Sequence, residues 1–292
     1  MPRPAEPKPV LIDLPARITS HVVFASPHSG RVYPEDIIRR ALVSPQMLRS
    51  SEDAFVDLLL APAPSAGAPL VTTEVPRAYV DFNRAETELD PALISGLSGR
   101  VAISPRVASG LGVIARVVAN GQRIYPDRLT LAEAEGRIDR CWRPYHAALA
   151  GLLADQRARF GRTLLVDVHS MPRAALAGYP RLRGGRPDVV LGDRHGASCA
   201  PDLVDAVAAV FQAEGLVVAR NTPFAGAYIA ERYGRPGQGM HCLQIEIDRG
   251  LYLDERRVTP GPGFADVQAM MARAVVSIAA LGRAGALPLA AE

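Results

Sequence analysis

Apolar positions along this chain fall into short unbroken runs, separated by stretches in which they recur at helical spacing. Val22–Ala25, Pro69–Thr73, Thr163–Val168, Val189–Leu191, Leu216–Ala219 and the run from Cys242 to Asp248 read as strands. Most are apolar along their whole length, as expected where both faces of a sheet are covered. Ala78–Phe82 reads as a further strand, followed by a polar loop through Asn83 and Arg84. Between the strands, Ser44 and Pro45 open a helix as N-cap and first helical residue. It runs through Leu48, Phe55, Val56 and Leu59 and stops at Pro62 and Pro64. Thr130 and Glu133 form a capping box for a helix reaching about Arg159, with a kink expected at Pro144. Cys199–Glu214 and Gly263–Leu281 are the remaining helices. Strands alternating with helices predict an α/β fold with helices on both faces of the sheet. Met1–Leu14 reads as a loose lead-in. Leu89–Arg128 reads as a long segment folded over a site, and Thr222–Gly239 as a Gly-rich loop.

Composition narrows the function classes. The formal net charge is +3, carried almost entirely by arginine, and the chain has no basic run or aromatic-interleaved patch of a nucleic-acid surface. The three cysteines, Cys141, Cys199 and Cys242, lack CxxC spacing, which argues against a disulfide framework and against a Cys-rich zinc site. The first residues are polar and Pro-rich, without the apolar core of a secretory signal. No apolar stretch reads as a membrane span. The expectation is a cytoplasmic protein with a small-molecule partner and neither a nucleic-acid nor a membrane partner.

The chemistry lies at strand ends, where open α/β sheets bind ligands. His28 follows the first strand within Ser26-Pro27-His28-Ser29-Gly30, and His169 ends the strand that begins at Thr163. A lone loop histidine is more simply a backbone-bonded side chain. Two in the same context favour a metal, and neutral imidazole suits zinc. A hydrolytic zinc takes a third protein ligand, often a carboxylate, and keeps one position open. Glu52 and Asp53, placed on the helix after His28, are both candidates. Glu246, between Ile245 and Ile247, reads as a general base whose pKa burial raises, or as the salt-bridge partner of Arg249. Arg77 and Arg84 bracket the Ala78–Phe82 run with Asn83 beside the second. That pattern suits an anionic small molecule, or else is a solvated edge strand. Arg116 and Arg123, in the covering segment, are placed with them. His146 is read as structural, His195 as a possible pocket residue, and His21 and His241 as strand-edge residues. No serine sits in a GxSxG context, and Gly234–Gly239 does not open a helix after a strand.

Together Ser26–Gly30, Glu52–Asp57, Pro76–Arg84, Ile124–Pro126, Pro144–His146, Asp167–Ser170 and Leu243–Ile247 resemble the N-formylglutamate amidohydrolase family. The resemblance implies one catalytic domain over 1–292 with a three-layer α/β/α fold and a central mixed sheet, similar to zinc carboxypeptidases. It implies a zinc-dependent hydrolase that cleaves N-formyl-L-glutamate to formate and L-glutamate late in histidine degradation. In the carboxypeptidases a glutamate ligand follows the histidine by three residues. Arg31 holds that offset here, and the family pattern favours Asp53 as the carboxylate. The implied site is therefore His28, Asp53 and His169 on zinc, Glu246 and Arg77 as catalytic groups, and Asn83, Arg84 and Arg116 on the substrate. Rival readings are a deacylase of another N-formyl or N-acyl acid, a non-catalytic binder of an anionic metabolite, and a metal-free hydrolase.

Overall fold

A computed structural model describes residues 6–97, 104–179 and 185–283. Residues 1–5 of the expected lead-in and 98–103 of the expected covering segment lie outside the described residues. In chain order the main elements are β1 (Leu11–Asp13), β2 (Val22–Ala25), α1 (Glu35–Arg40), α2 (Pro45–Arg49), α3 (Val56–Leu60), β3 (Leu70–Thr72), α4 (Pro105–Ala108), α5 (Leu131–Arg137), α6 (Arg143–Phe160), β4 (Thr163–Met171), β5 (Val189–Gly192), α7 (Pro201–Ala213), β6 (Val218–Arg220), α8 (Tyr228–Tyr233), β7 (Met240–Asp248) and α9 (Phe264–Leu281).

Seven strands form one sheet in the order β1-β3-β2-β4-β7-β5-β6. The central four, β3, β2, β4 and β7, are parallel. β1 runs against β3 at one edge, and β5 runs against β7 with β6 parallel to it at the other. The sheet is therefore mixed. Successive side chains on a strand point to opposite faces, and the core divides accordingly. Phe24, Leu164, Val166, Val168, Leu243, Ile245 and Ile247 face a layer containing α3, α7 and α9. Val23, Ala25, Leu165 and Cys242 face the layer containing α6 and α8. On that second face the apolar alternation gives way to polar residues toward the carboxyl ends. Leu165 is followed by Asp167 and His169, and Cys242 by Gln244 and Glu246. The parallel register sets Asp167 opposite Gln244 and His169 opposite Glu246.

Several expectations change. The lead-in is not loose throughout, because Leu11–Asp13 pairs with β3. The helix opened by Ser44 is two short helices, with Glu52 and Asp53 in the turn between them. Ser44 caps the first by accepting from the Met47 N–H. The second starts at Phe55, whose φ of 65° breaks the helical path. Ala78–Phe82 is not a strand. Pro76 starts a turn that accepts from Tyr79 and Val80, and the run is apolar because Ala78, Val80 and Phe82 are buried. Pro144 does not interrupt its helix. The chain widens into a π turn over Ile138–Trp142, with Arg143 N–H donating to Ile138 O, so the donor that proline lacks is not needed. The loop Thr222–Gly239 contains α8. Finally, α9 is long and apolar enough, by length and composition alone, to cross a membrane, which the sequence reading did not expect. Its buried face, Met270, Met271, Ala274, Val275, Ile278 and Ala279, packs into the first core layer.

Candidate active site

Three chain segments converge beyond the carboxyl ends of β2 and β4. His28 stands in the loop after β2. Gly30 lets that loop lie on the segment after β3, since a Cβ there would sit 2.1 Å from Val75 O. The glycine thus permits close approach of the chain to itself rather than to a ligand. Asp53 is drawn beside His28 by its backbone, whose N–H donates to His28 O at 2.9 Å. His169 extends from β4. All three side chains are buried.

Their contacting atoms form a small triangle. His28 Nδ1 lies 3.3 Å from Asp53 Oδ2, His169 Nδ1 lies 2.9 Å from the same oxygen, and the two Nδ1 atoms are 3.1 Å apart. Zinc binds such atoms at about 2.0–2.2 Å, which sets the edges of its ligand tetrahedron at roughly 3.3–3.6 Å. The triangle is close to one face of that tetrahedron. The outer nitrogens have carboxylate partners of their own. His28 Nε2 meets Asp81 Oδ1 at 2.7 Å and His169 Nε2 meets Asp167 Oδ2 at 3.0 Å. A carboxylate only accepts, so a hydrogen on each Nε2 serves these partners; each Nδ1 then has its lone pair for a cation at the common point, and without one a further hydrogen on His169 Nδ1 serves Asp53 Oδ2. Two lone pairs and a carboxylate oxygen aimed at one spot repel unless a cation or a proton lies between them. The donor set therefore fits a divalent metal, and the paired Asp81 and Asp167 are the carboxylate–histidine supports such sites use. The other oxygen of Asp53 is taken by Ser170 Oγ and Arg249 Nη2, both at 3.0 Å, which leaves Oδ2 for the triangle.

Charge follows the same pattern. Burial pushes Asp53 up, but His169 and His28 outweigh it and hold the carboxyl well below its usual range. Burial pulls His169 down, yet Asp167, Asp53 and Glu246 together hold it well above the usual imidazole value. Without a cation, then, His169 keeps an additional proton that a metal would displace.

These groups line a cavity of about 540 Å³ together with Arg77, Asn83, Arg84, Gln244, Glu246 and Arg249. Burial pushes the Glu246 carboxyl up to about 7, against the pull of His169. Glu246 Oε1 accepts from Gln244 Nε2 at 2.9 Å. Arg249 is not its partner, because that guanidinium donates to Ser170 Oγ, Ser50 O and Asp53 Oδ1. Arg77 Nε donates to Asp81 Oδ2 at 3.0 Å, and among the described residues its terminal nitrogens meet no acceptor. Arg84 donates to Leu111 O and Asn83 O from within the wall.

The site thus brings together His28, Asp53, His169, Glu246, Arg77, Asn83 and Arg84. Arg116 is not among the lining residues. It alternates with Ala115 and Val117, which do line the cavity, and its Nε donates to Asp90 Oδ2 at 2.7 Å on the other side. Arg123 donates to Pro126 O and is likewise outside. His195 is exposed and does not line the cavity. Glu52 is tied to Tyr33 and Arg49, which leaves Asp53 as the carboxylate of the cluster. His146 is held between Phe82 O and the Tyr233 hydroxyl and is structural. Sequence reading gave no site role to Asp81, Gln244, Arg249 or Arg106, which all line the cavity. Asp81 and Gln244 had a signal, being polar positions inside otherwise apolar segments.

A family model for N-formylglutamate amidohydrolase matches residues 20–253. The chain belongs to that family. By this membership it is a hydrolase of a linear amide bond. An N-formylglutamate deformylase of Pseudomonas putida is 29% identical over 238 residues, covering 80% of this amidohydrolase and 82% of the relative. Another, from Pseudomonas aeruginosa, is 30% identical over 240 residues, covering 80% and 83%. The crystal structure of an N-formylglutamate amidohydrolase from Ralstonia eutropha JMP134 matches with a TM-score of 0.88 at 37% identity, covering 94% of this chain and 98% of that one. The mixed sheet and its helices are therefore the fold of a solved family member.

Proposed function

We propose that this amidohydrolase cleaves N-formyl-L-glutamate to formate and L-glutamate with the help of a divalent metal, zinc by its ligand set. The observation that carries the reading is the triangle of His28 Nδ1, Asp53 Oδ2 and His169 Nδ1 beside a buried carboxyl, Glu246, in one cavity. Family membership and the names of the Pseudomonas relatives support the substrate.

When bound by His28, Asp53 and His169, the cation supplies Lewis-acid polarisation of the formyl carbonyl and makes water more acidic. Glu246, with its pKa near neutrality, takes a proton from the water as its oxygen bonds to the formyl carbon. The carbon–nitrogen bond then breaks, and Glu246 returns the proton to the leaving nitrogen, giving formate and a free amine. Arg77 offers its terminal N–H groups, which meet no acceptor among the described residues, to the carboxylate or to charge developing on the formyl oxygen. Asn83 and Arg84 hold the substrate's carboxylates. Arg116 has no part in this scheme because it faces Asp90.

The reading includes a single catalytic domain, likeness of the layered sheet to zinc carboxypeptidases, a role late in histidine degradation, and a cytoplasmic location. The test is formate release from N-formyl-L-glutamate by purified protein, with metal content measured, before and after chelation and zinc return. N-formyl-L-aspartate and N-acetyl-L-glutamate serve as comparison substrates. No formate release by the zinc-loaded protein would overturn the reading. Preference for a comparison substrate would move it to the neighbouring deacylase.

A further inference from the structure

Two amide side chains in the cavity have their orientation fixed by backbone donors at the start of α8. Ala227 N–H donates to Gln244 Oε1 at 3.1 Å, and Ile229 N–H donates to Asn83 Oδ1 at 2.8 Å. A backbone N–H only donates, so the atom it meets in each amide is the oxygen. The NH₂ groups therefore point the other way, into the site. Both donors come from the start of α8, where backbone N–H groups have no partner within the helix. In Gln244 the consequence is specific, because Nε2 meets Glu246 Oε1 at 2.9 Å. Gln244 and Glu246 are two apart on β7 and project from the same face, and both are buried.

We propose that Gln244 is the positioning residue of Glu246. Anchored by Ala227 N–H, it occupies Oε1 with an amide hydrogen and leaves Oε2 as the oxygen that meets water. The inference rests on the base role given to Glu246 above. The groups acting on Glu246 show why such a tether is needed. His169 stands opposite it in register, and Asp53, Arg77 and Arg249 add charge of both signs. A buried carboxylate on a side chain with three rotatable bonds swings toward the strongest positive centre within reach. Here that means a cation at the triangle, or Arg77. Either move would remove the base from the water it must deprotonate. A neutral donor on the same strand holds the carboxylate without neutralising it, which a lysine or arginine there would not do.

The test compares Gln244→Met, which removes the donor at similar volume, with Gln244→Asn, which keeps a neutral amide but is one methylene too short to reach both Ala227 N–H and Glu246 Oε1. The expected result is a fall in kcat of about ten-fold or more in both, with KM and bound zinc unchanged. The acid limb of the kcat/KM profile should move to higher pH, because the ionised carboxylate has lost a donor. Wild-type kcat and an unmoved limb in both variants would overturn the proposal. So would a loss of kcat that only tracks loss of zinc or of folded protein. If the wild type releases no formate, the functional reading has failed, and a separate measurement decides the inference. The Glu246 carboxyl is followed by ¹³C NMR in zinc-free protein and assigned by its disappearance in Glu246→Gln. A higher titration midpoint in Gln244→Met supports the tether, and an equal midpoint overturns it.

Discussion

Each imidazole of the triangle is useful because of the carboxylate behind it. Asp167 fixes the tautomer of His169 and raises the basicity of the nitrogen that faces the site. Asp167→Asn should therefore weaken zinc binding by about 10–100-fold. Competition with a chelating indicator measures this, and unchanged affinity would remove Asp167 from the site. Glu246→Gln should retain zinc but lose about 10²–10⁴-fold in kcat, because it takes away the only group assigned to move the proton. The pH profile follows from the same carboxyl. A base must be ionised, and burial pushes Glu246 up to about 7. Activity should fall as pH drops through a midpoint at or below that value, the cation's charge shifting it downward. A profile flat from pH 8 to 5 would exclude Glu246 as base.

The elements that matter most are short and irregular. β4 and β7 deliver Asp167, His169, Gln244 and Glu246 through a two-residue alternation, which is rigid because both strands are central and paired on both sides. The turn between α2 and α3 delivers Asp53, and the left-handed Phe55 ends it. Behind the cavity, α6 contributes His146, whose Nε2–H donates to Phe82 O, the residue before Asn83. Burial pulls His146 down to about 3. The unfolded chain binds that proton near pH 6.5 and the folded one does not, so this group's contribution is intact above 6.5. Below 6.5 it declines by about 1.4 kcal/mol per pH unit until the folded value is reached. His146→Gln should remove the dependence. Urea unfolding at pH 7 and pH 5 should show the wild type losing about 2 kcal/mol relative to the variant. Parallel losses would refute the neutral, buried assignment.

For the molecule as a whole, the triangle is a cross-link. His28, Asp53 and His169 lie far apart in the chain, and an ion that binds them only when folded stabilises the folded state by mass action. At a thousand-fold excess over Kd the gain is about 4 kcal/mol. Chelation should lower the melting temperature, and stoichiometric zinc should restore it. A melting temperature indifferent to both would argue that the cluster holds only its proton. α9 belongs to this scale too. Its composition alone passes for a membrane segment, but the layer it forms with α3 and α7 covers the sheet.

The sequence by itself determined the alternation of strands and helices, the two strand-end histidines, the carboxyl at Glu246 and the Arg77–Arg84 segment, because hydrophobic period and local chain chemistry are written residue by residue. It also supplied the family resemblance. It left Glu52 and Asp53 undivided, since both carboxylates sit in the same local context. The family resemblance favoured Asp53, and folding gave the physical reason, tying Glu52 to Tyr33 and Arg49 and drawing Asp53 to His28 O. It misplaced Arg116, because which side of an irregular segment faces a cavity depends on what that segment packs against. It gave Asp81 and Gln244 no role: each shows as a polar position in an apolar segment, but that Asp81 meets His28, 53 positions away, and Gln244 meets Ala227, 17 away, is set by the fold. Tertiary structure decided these points because direction and distance between remote segments come from the register of the sheet and the burial of its faces, which no local pattern encodes.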